Sequence, residues 1–106
     1  MNKIMLKVSD FSQTPKGRYF PDDGKYTGDK FRKDFLVPNF NKYEKIIVDL
    51  DDLYGCPSSF REEAFGGLAR IYPIEEVLKK LEFICTDEPP LIDEILTDIK
   101  EARKES

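Results

Sequence analysis

Asp49-Leu50-Asp51-Asp52-Leu53-Tyr54-Gly55-Cys56-Pro57-Ser58-Ser59-Phe60-Arg61-Glu62-Glu63-Ala64-Phe65-Gly66-Gly67-Leu68 decides how this chain folds. It follows Lys45-Ile46-Ile47-Val48, whose three consecutive aliphatics predict a central strand covered on both faces. Beyond the turn, Phe60, Ala64, Leu68 and Ile71 recur at i, i+4, i+8 and i+11, which predicts a helix over about 60–72. Arg61, Glu62 and Glu63 form its wet face. The connecting turn displays two adjacent hydroxyls, Ser58 and Ser59. Such a pair at a strand-to-helix junction reads as a helix cap, an anion site or a phosphorylation switch. Ser59 followed by Glu62 has the spacing of a capping box, which assigns Ser59 to structure. Ser58 precedes that cap and is expected to point outward at the positive end of the helix dipole, where an anion is stabilised.

Working outward, residues 3–8 suit a short strand. Residues 10–28 are rich in turn formers and read as an irregular hairpin or an ordered loop. Thr27 is placed to cap a helix over about 28–36, with Phe31 and Phe35 on one face, ended or kinked by Pro38. Asn39 to Glu44 is read as a connector. After Pro73 comes a short helix over 74–80, then a strand over 81–86. Pro89-Pro90 opens a last helix over about 91–103, with Ile95, Leu96 and Ile99 inward. The tail from Glu101 to Ser106 is expected to fray. Strands alternating with helices predict an α/β domain with a mixed or parallel sheet.

The 106 residues fit a single domain over 1–106, and 40% hydrophobic content is enough for one core. A net charge of −4 disfavours a nucleic-acid partner, which needs a basic face. No apolar run approaches the ~20 residues that span a bilayer, and Lys3 and Lys7 interrupt any signal peptide, so a cytoplasmic location is expected. Histidine is absent, which removes the commonest general base and metal ligand. No nucleophile–base pair or phosphate-binding glycine loop is recognisable, so no enzyme activity and no cofactor is expected. Asp49, Asp51 and Asp52 at the strand end could hold a divalent cation or be solvated charges, and the second reading is favoured. Cys56 and Cys85 both fall near strand ends; they are read as free thiols ahead of a redox pair. Gly66 and Gly67 inside a helix each cost ~1 kcal/mol relative to alanine, an expense explained by close packing on the sheet or an adjacent helix.

Tyr54-Gly55-Cys56-Pro57-Ser58-Ser59-Phe60, continuing Arg-Glu-Glu-Ala-Phe-Gly-Gly-Leu, resembles the signature of the STAS-like domain family of unknown function DUF4325. Gly17-Arg18-Tyr19, Asp23-Gly24, Thr27-Gly28-Asp29-Lys30-Phe31-Arg32 and Leu36-Val37-Pro38 resemble that family's N-terminal pattern, so the likeness runs over about 5–100. STAS domains include the anti-sigma-factor antagonists of bacteria. The resemblance implies a mixed four- or five-stranded sheet with helices packed against it. It also implies a non-enzymatic regulatory role. The partner, a histidine-kinase-type ATPase or serine kinase, would be engaged through Tyr54, Gly55, Cys56, Pro57, Ser58 and Ser59 and through Arg61 and Glu62. By position Pro57-Ser58-Ser59 matches the Asp-Ser-Ser turn of the antagonists, with Ser58 in the phosphoacceptor place and Ser59 beside it. Pro57 replaces the aspartate that helps that turn engage its kinase, and Phe60 replaces the glycine that usually follows. The alternative reading is a sensing module that holds a nucleotide or small anion at the helix N-terminus after Ser59.

Overall fold

The computed structural model describes residues 2–102. Three strands, β1 (Lys3–Lys7), β2 (Lys45–Asp49) and β3 (Leu81–Ile84), form a parallel sheet in the order β1-β2-β3. Lys3 pairs with Lys45 and Ile46 with Leu81. The helices are α1 (Val8–Phe11), α2 over 28–40, α3 over 58–69, α4 (Ile74–Lys80) and α5 (Pro90–Lys100). Among the described residues no helix is long and apolar enough to cross a membrane.

The α/β architecture agrees with the sequence reading, but the described sheet has three parallel strands where a mixed four- or five-stranded one was expected. The turn-rich segment takes the second of its two expected forms, an ordered loop, tied by backbone bonds from Lys16 to the Tyr26 carbonyl and from Gly28 to the Gly17 carbonyl (2.9 Å each) and by its own side chains. Asp23 accepts from the amides of Arg18 (3.2 Å) and Tyr19 (2.9 Å), and Asp29 accepts from the amide of Phe20 (3.0 Å) and the hydroxyl of Thr27 (2.6 Å). Gly17 adopts φ +85°, and a Cβ there would lie 2.6 Å from that of Asp23. Thr27 precedes α2 in extended conformation, but its hydroxyl is spent on Asp29 and does not cap.

β2 is central, yet it is covered on one face only. Ile46 and Val48 are buried and Ile47 is half-buried, because strand residues alternate between faces. Leu6 and Leu81 flank them beneath the helices, whereas Met5 on the other face is 55% exposed. Over the covered face Phe31, Phe60 and Phe65 join in edge and tilted ring contacts, with Phe31 and Phe60 centroids 6.0 Å apart.

Both long helices widen into a π turn at mid-length, Arg32–Leu36 in α2 and Glu62–Gly66 in α3. The Val37 amide reaches back five residues to the Arg32 carbonyl. This widening lets α2 run past Pro38 to Phe40, so the proline neither ends the helix nor leaves residues 39–40 as connector. The Asn39 side chain donates to the Phe35 carbonyl at 2.7 Å. Lys80 then closes the C-terminus of α2, donating to the carbonyls of Phe40 and Tyr43 with its ammonium 4.8 Å above the Phe40 ring. The C-terminal helix ends at Lys100, and the tail residues 103–106 of the expected frayed segment lie outside the described residues.

α2 and α3 approach so closely that a Cβ on Gly28 would sit 2.5 Å from the Phe60 carbonyl oxygen and 2.9 Å from the Ala64 nitrogen. Gly55, by contrast, faces open space. In urea unfolding, Gly28→Ala is expected to lose about 1–3 kcal/mol through forced separation of the helices. Gly55→Ala should stay within about 0.5 kcal/mol of the parent.

Candidate functional site

The turn between β2 and α3 is fastened at several points along its length. The Leu50 amide donates to the Ile84 carbonyl at 2.8 Å, and Asp49 accepts from the Asp51 amide at 2.9 Å. Asp51 takes the amides of Thr86 (2.7 Å) and Asp87 (3.0 Å) and the Thr86 hydroxyl (2.8 Å). The bonds from the Asp87 amide and the Thr86 hydroxyl hold the Asp51 carboxyl below its ordinary value. Asp52, at φ +67°, pairs with Lys7 at 2.8 Å, and its carbonyl accepts from Gln13. The Tyr54 amide donates to the Gln13 carbonyl at 2.9 Å. The three aspartates thus bind chain to chain, and among the described residues no group of three or more potential ligands could hold a metal ion.

That fastening displays a short surface. Tyr54 is 80% exposed, and Gly55, Pro57 and Ser58 are also exposed. Cys56 turns inward, and burial pushes its thiol up to about 12. It shares a cavity of about 250 Å³ with Cys85, Leu50, Leu53 and Leu91. Cys85 donates to the Glu88 carbonyl, burial raises its pKa, and both cysteines are free thiols as read from the sequence.

The helix start differs from the expected one. Pro57 is the N-cap residue, with φ −60° and ψ 151°, and Ser58 is already the first helical residue. No side-chain cap bond forms, so the capping box between Ser59 and Glu62 is absent. Proline fixes its own φ near that of the first helical turn and has no amide to leave unsatisfied there. Glu62 is also claimed elsewhere: Arg18 and Arg70 both donate to it, and charged donors outcompete a serine amide. Burial alone would raise Glu62, but the bonds from Arg18 and Arg70 outweigh it and hold the carboxyl below its ordinary 4.5.

Ser58 and Ser59 therefore stand in different surroundings. Ser58 is exposed, while Ser59 is half-buried and lines a cavity of about 470 Å³ with Lys16, Gly17, Arg18, Asp22 and Asp23. A second cavity of about 230 Å³, lined by Thr14, Pro15, Lys16, Tyr54, Gly55 and Pro57, adjoins it through Lys16. The turn and the 14–23 loop thus make one surface. Lys16, Arg18 and Asp23 were not singled out as site residues from the sequence, although the Gly-Arg-Tyr and Asp-Gly pairs that hold two of them were visible.

Arg61 and Glu62 point into the fold instead. Arg61 Nε donates to Asp98 at 2.8 Å and its Nη2 lies 3.2 Å from Glu94, clamping α5 onto α3. Burial raises Asp98 against the pull of Arg61. Gly66 and Gly67 serve close packing as expected. A Cβ on Gly66 would meet Glu62 at 2.7 Å and the Asp98 carbonyl at 3.3 Å, and one on Gly67 would collide with the Arg32 guanidinium.

The fold and this fastened turn define a small α/β domain that presents a rigid strand-to-helix junction. The family described as a STAS-like domain of unknown function (DUF4325) matches residues 27–90, more than half of the chain, and the chain belongs to that family. The 14–23 loop that completes the surface lies ahead of the matched span. No curated protein and no solved structure matches the chain.

Glu62 has its folded pKa depressed, so its contribution is present above the unfolded value and is lost as pH falls through and below about 4.5. Urea titrations between about pH 6 and 3 should therefore show a shallower acid loss in Glu62→Gln than in the parent. Because Cys56 is half-buried and its thiol is pushed up to about 12, it is protonated at neutral pH, and its alkylation in the folded protein at pH 8 should be at least about a hundredfold slower than in urea, read by mass spectrometry.

Proposed function

We propose that this domain is a non-enzymatic, cytoplasmic regulator resembling an anti-sigma-factor antagonist. It binds a protein partner, a histidine-kinase-type ATPase or serine kinase, through the 54–59 turn and the start of α3. Phosphorylation of Ser58 switches that contact. The observation that carries this reading is Tyr54: a large aromatic side chain 80% exposed on a turn whose backbone is pinned on both sides. Exposed aromatics on rigid backbone are the residues that anchor protein interfaces, since little entropy is lost on docking. Tyr54, Gly55, Pro57 and Ser58 supply the contact, with Ser59 at its edge. Cys56 supports the turn from beneath, and Arg61 and Glu62 hold α3 in place.

Ser58 is exposed at the first position of a twelve-residue helix, open to a kinase. A phosphoryl group there adds about −1.5 to −2 charges, which the helix dipole offsets only in part. Glu62 is already neutralised by Arg18 and Arg70, so like-charge repulsion within the domain is small. The cost arises at the interface, where a partner would have to bury a doubly charged group.

Calorimetric titration against a purified serine-kinase ATPase domain from the same cells tests this reading. Tyr54→Ala should weaken binding by about 2 kcal/mol and Ser58→Asp by at least about tenfold. Equal affinity for Ser58→Asp and the parent would remove the switch and leave the interface standing; equal affinity for Tyr54→Ala would remove the interface. A second reading, a nucleotide or small-anion sensor, is favoured by the cavity in which Lys16, Arg18 and Ser59 meet at the start of α3. A nucleotide screen that raises the melting temperature of the parent, but not of Lys16→Ala, would support it over the first.

A further inference from the structure

The sheet ends at β1, and the direction of its outward backbone groups follows from the far side. In a strand the N–H and C=O of one residue point to the same side, and successive residues alternate. The Leu50 amide donates to the Ile84 carbonyl, so Leu50, Val48 and Ile46 turn their backbone groups toward β3. Ile47 and Asp49 then face β1, where the parallel register gives them Ile4 and Leu6 as hydrogen-bonding partners. The amides of Lys3, Met5 and Lys7 and the carbonyls of Lys3 and Met5 are left directed outward. Among the described residues no strand pairs with this outer side. An open row of donors and acceptors is a template for another strand.

Charge along this edge is polarised. Lys3, at its start, is exposed and has no ion-pair partner among the described residues. Lys7, at its end, is not a free charge. Its ammonium lies 2.8 Å from Asp52, and the Asp49 and Asp10 carboxylates act on it as well. One cation among three carboxylates leaves that end net acidic, and the Asp52 side chain is 61% exposed. Between the two ends Met5 is 55% exposed.

Such a strand is complementary to itself in the antiparallel sense. Turned about Met5, a second β1 sets each Lys3 against the acidic end of the other copy, the unlike pairing that supports a ladder. Met5 then meets Met5, and on the helix side the half-buried Ile4 meets the buried Leu6. The outward backbone groups match in the same register. The two Met5 residues exchange both main-chain bonds, and each Lys7 amide reaches the Lys3 carbonyl of the other copy. Parallel pairing would set Lys3 against Lys3 and acid against acid, which destabilises a ladder.

We propose that the outer edge of β1 pairs antiparallel with β1 of a second copy, joining the two sheets into one about a twofold axis at Met5. The interface is isologous and closes at two chains. It buries little area, so the association is weak, with a dissociation constant on the order of 100 µM. The 54–59 turn takes no part in the ladder, and the dimer stands whether or not that turn binds a partner.

Sedimentation velocity of the full chain from about 10 µM to about 1 mM should show monomer passing to dimer and nothing larger. Over the same range the Met5 and Lys7 amides should slow about fivefold in hydrogen exchange read by NMR. Met5→Lys and Met5→Glu each set like charges at the centre of the ladder, and each alone should weaken association at least about tenfold. Mixed in equal amounts, the two should associate again, because unlike charges then meet. Both change an exposed side chain and should leave the melting curve of the dilute protein in place. Lys3→Glu should weaken association by a similar factor, and it decides the question should either Met5 variant lose its melting transition. A monomer throughout, growth past the dimer, Met5 variants that associate like the parent, or a mixture no tighter than its components would each overturn the proposal. Concentration-dependent protection confined to residues 54–59 would place the contact on the turn and overturn it equally.

Discussion

The ion pair between Arg32 and Glu63 is the contact on which the rest of this domain depends. The two side chains are only 12% and 10% exposed, and Arg32 Nη1 stands 2.9 Å from Glu63 Oε2 while also donating to the Glu63 backbone carbonyl. Both residues sit in π turns, one in each long helix, where the backbone ladder is widened. The guanidinium passes over Gly67, where any side chain would stand in its path. A buried pair of this kind is weak evidence for added stability, because desolvating the two charges offsets most of the Coulomb gain. Losing one partner is another matter, since an unpaired charge left in that site costs about 3–5 kcal/mol. The pair therefore fixes the register of α2 against α3 more than it deepens the core.

From that register the surface follows. Glu62 and Glu63 are neighbours on α3, and Arg18 reaches both. Arg18 is thus the bolt that draws the loop ahead of α2 onto the helix pair. The loop amides that donate to Asp23 and to Asp29 of α2 then set Lys16 beside Ser59 and the Tyr54 turn. Moving α3 by one turn relative to α2 would break Glu63 from Arg32 and Glu62 from Arg18 together. The displayed turn would lose its second wall without any residue of the turn itself being changed.

The sequence was most legible where local chemistry and tertiary packing agree. β2 and the 74–80 helix stand where periodicity and Pro73 place them, and Gly66-Gly67 announces close packing correctly. It was least legible where a distant side chain overrides a local preference. Ser59 and Glu62 have capping-box spacing, but Arg18, forty-four positions away, holds the glutamate. Pro38 has the strength to stop a helix, but a π turn ahead of it absorbs the missing hydrogen bond. Three consecutive aliphatics in β2 read as two covered faces, yet Ile47 lies on the face no helix covers. Residues 10–28 read as an irregular hairpin or an ordered loop, and turn formers alone did not decide between them; the segment is a loop bridged by backbone bonds from Lys16 to Tyr26 and from Gly28 to Gly17, with Asp23 holding its turn.

Pro57 makes the difference between the two hydroxyls structural. Had Ser59 capped α3, its side chain would be spent on a backbone amide and Ser58 would lie outside the helix. With Pro57 as the cap, the helix begins two residues earlier, and the first-turn amides of Ser58, Ser59 and Phe60 have no partner within it. Neither serine oxygen is consumed in capping, and one turns to solvent while the other faces the cavity of Lys16 and Arg18. The proline at this junction thus leaves both hydroxyls free of capping. Chemistry at either serine would meet a helix N-terminus already anchored from behind by Arg61 on Asp98 and by Glu62 between two arginines. A charge added there therefore acts on whatever the turn contacts, and the helix stays in place.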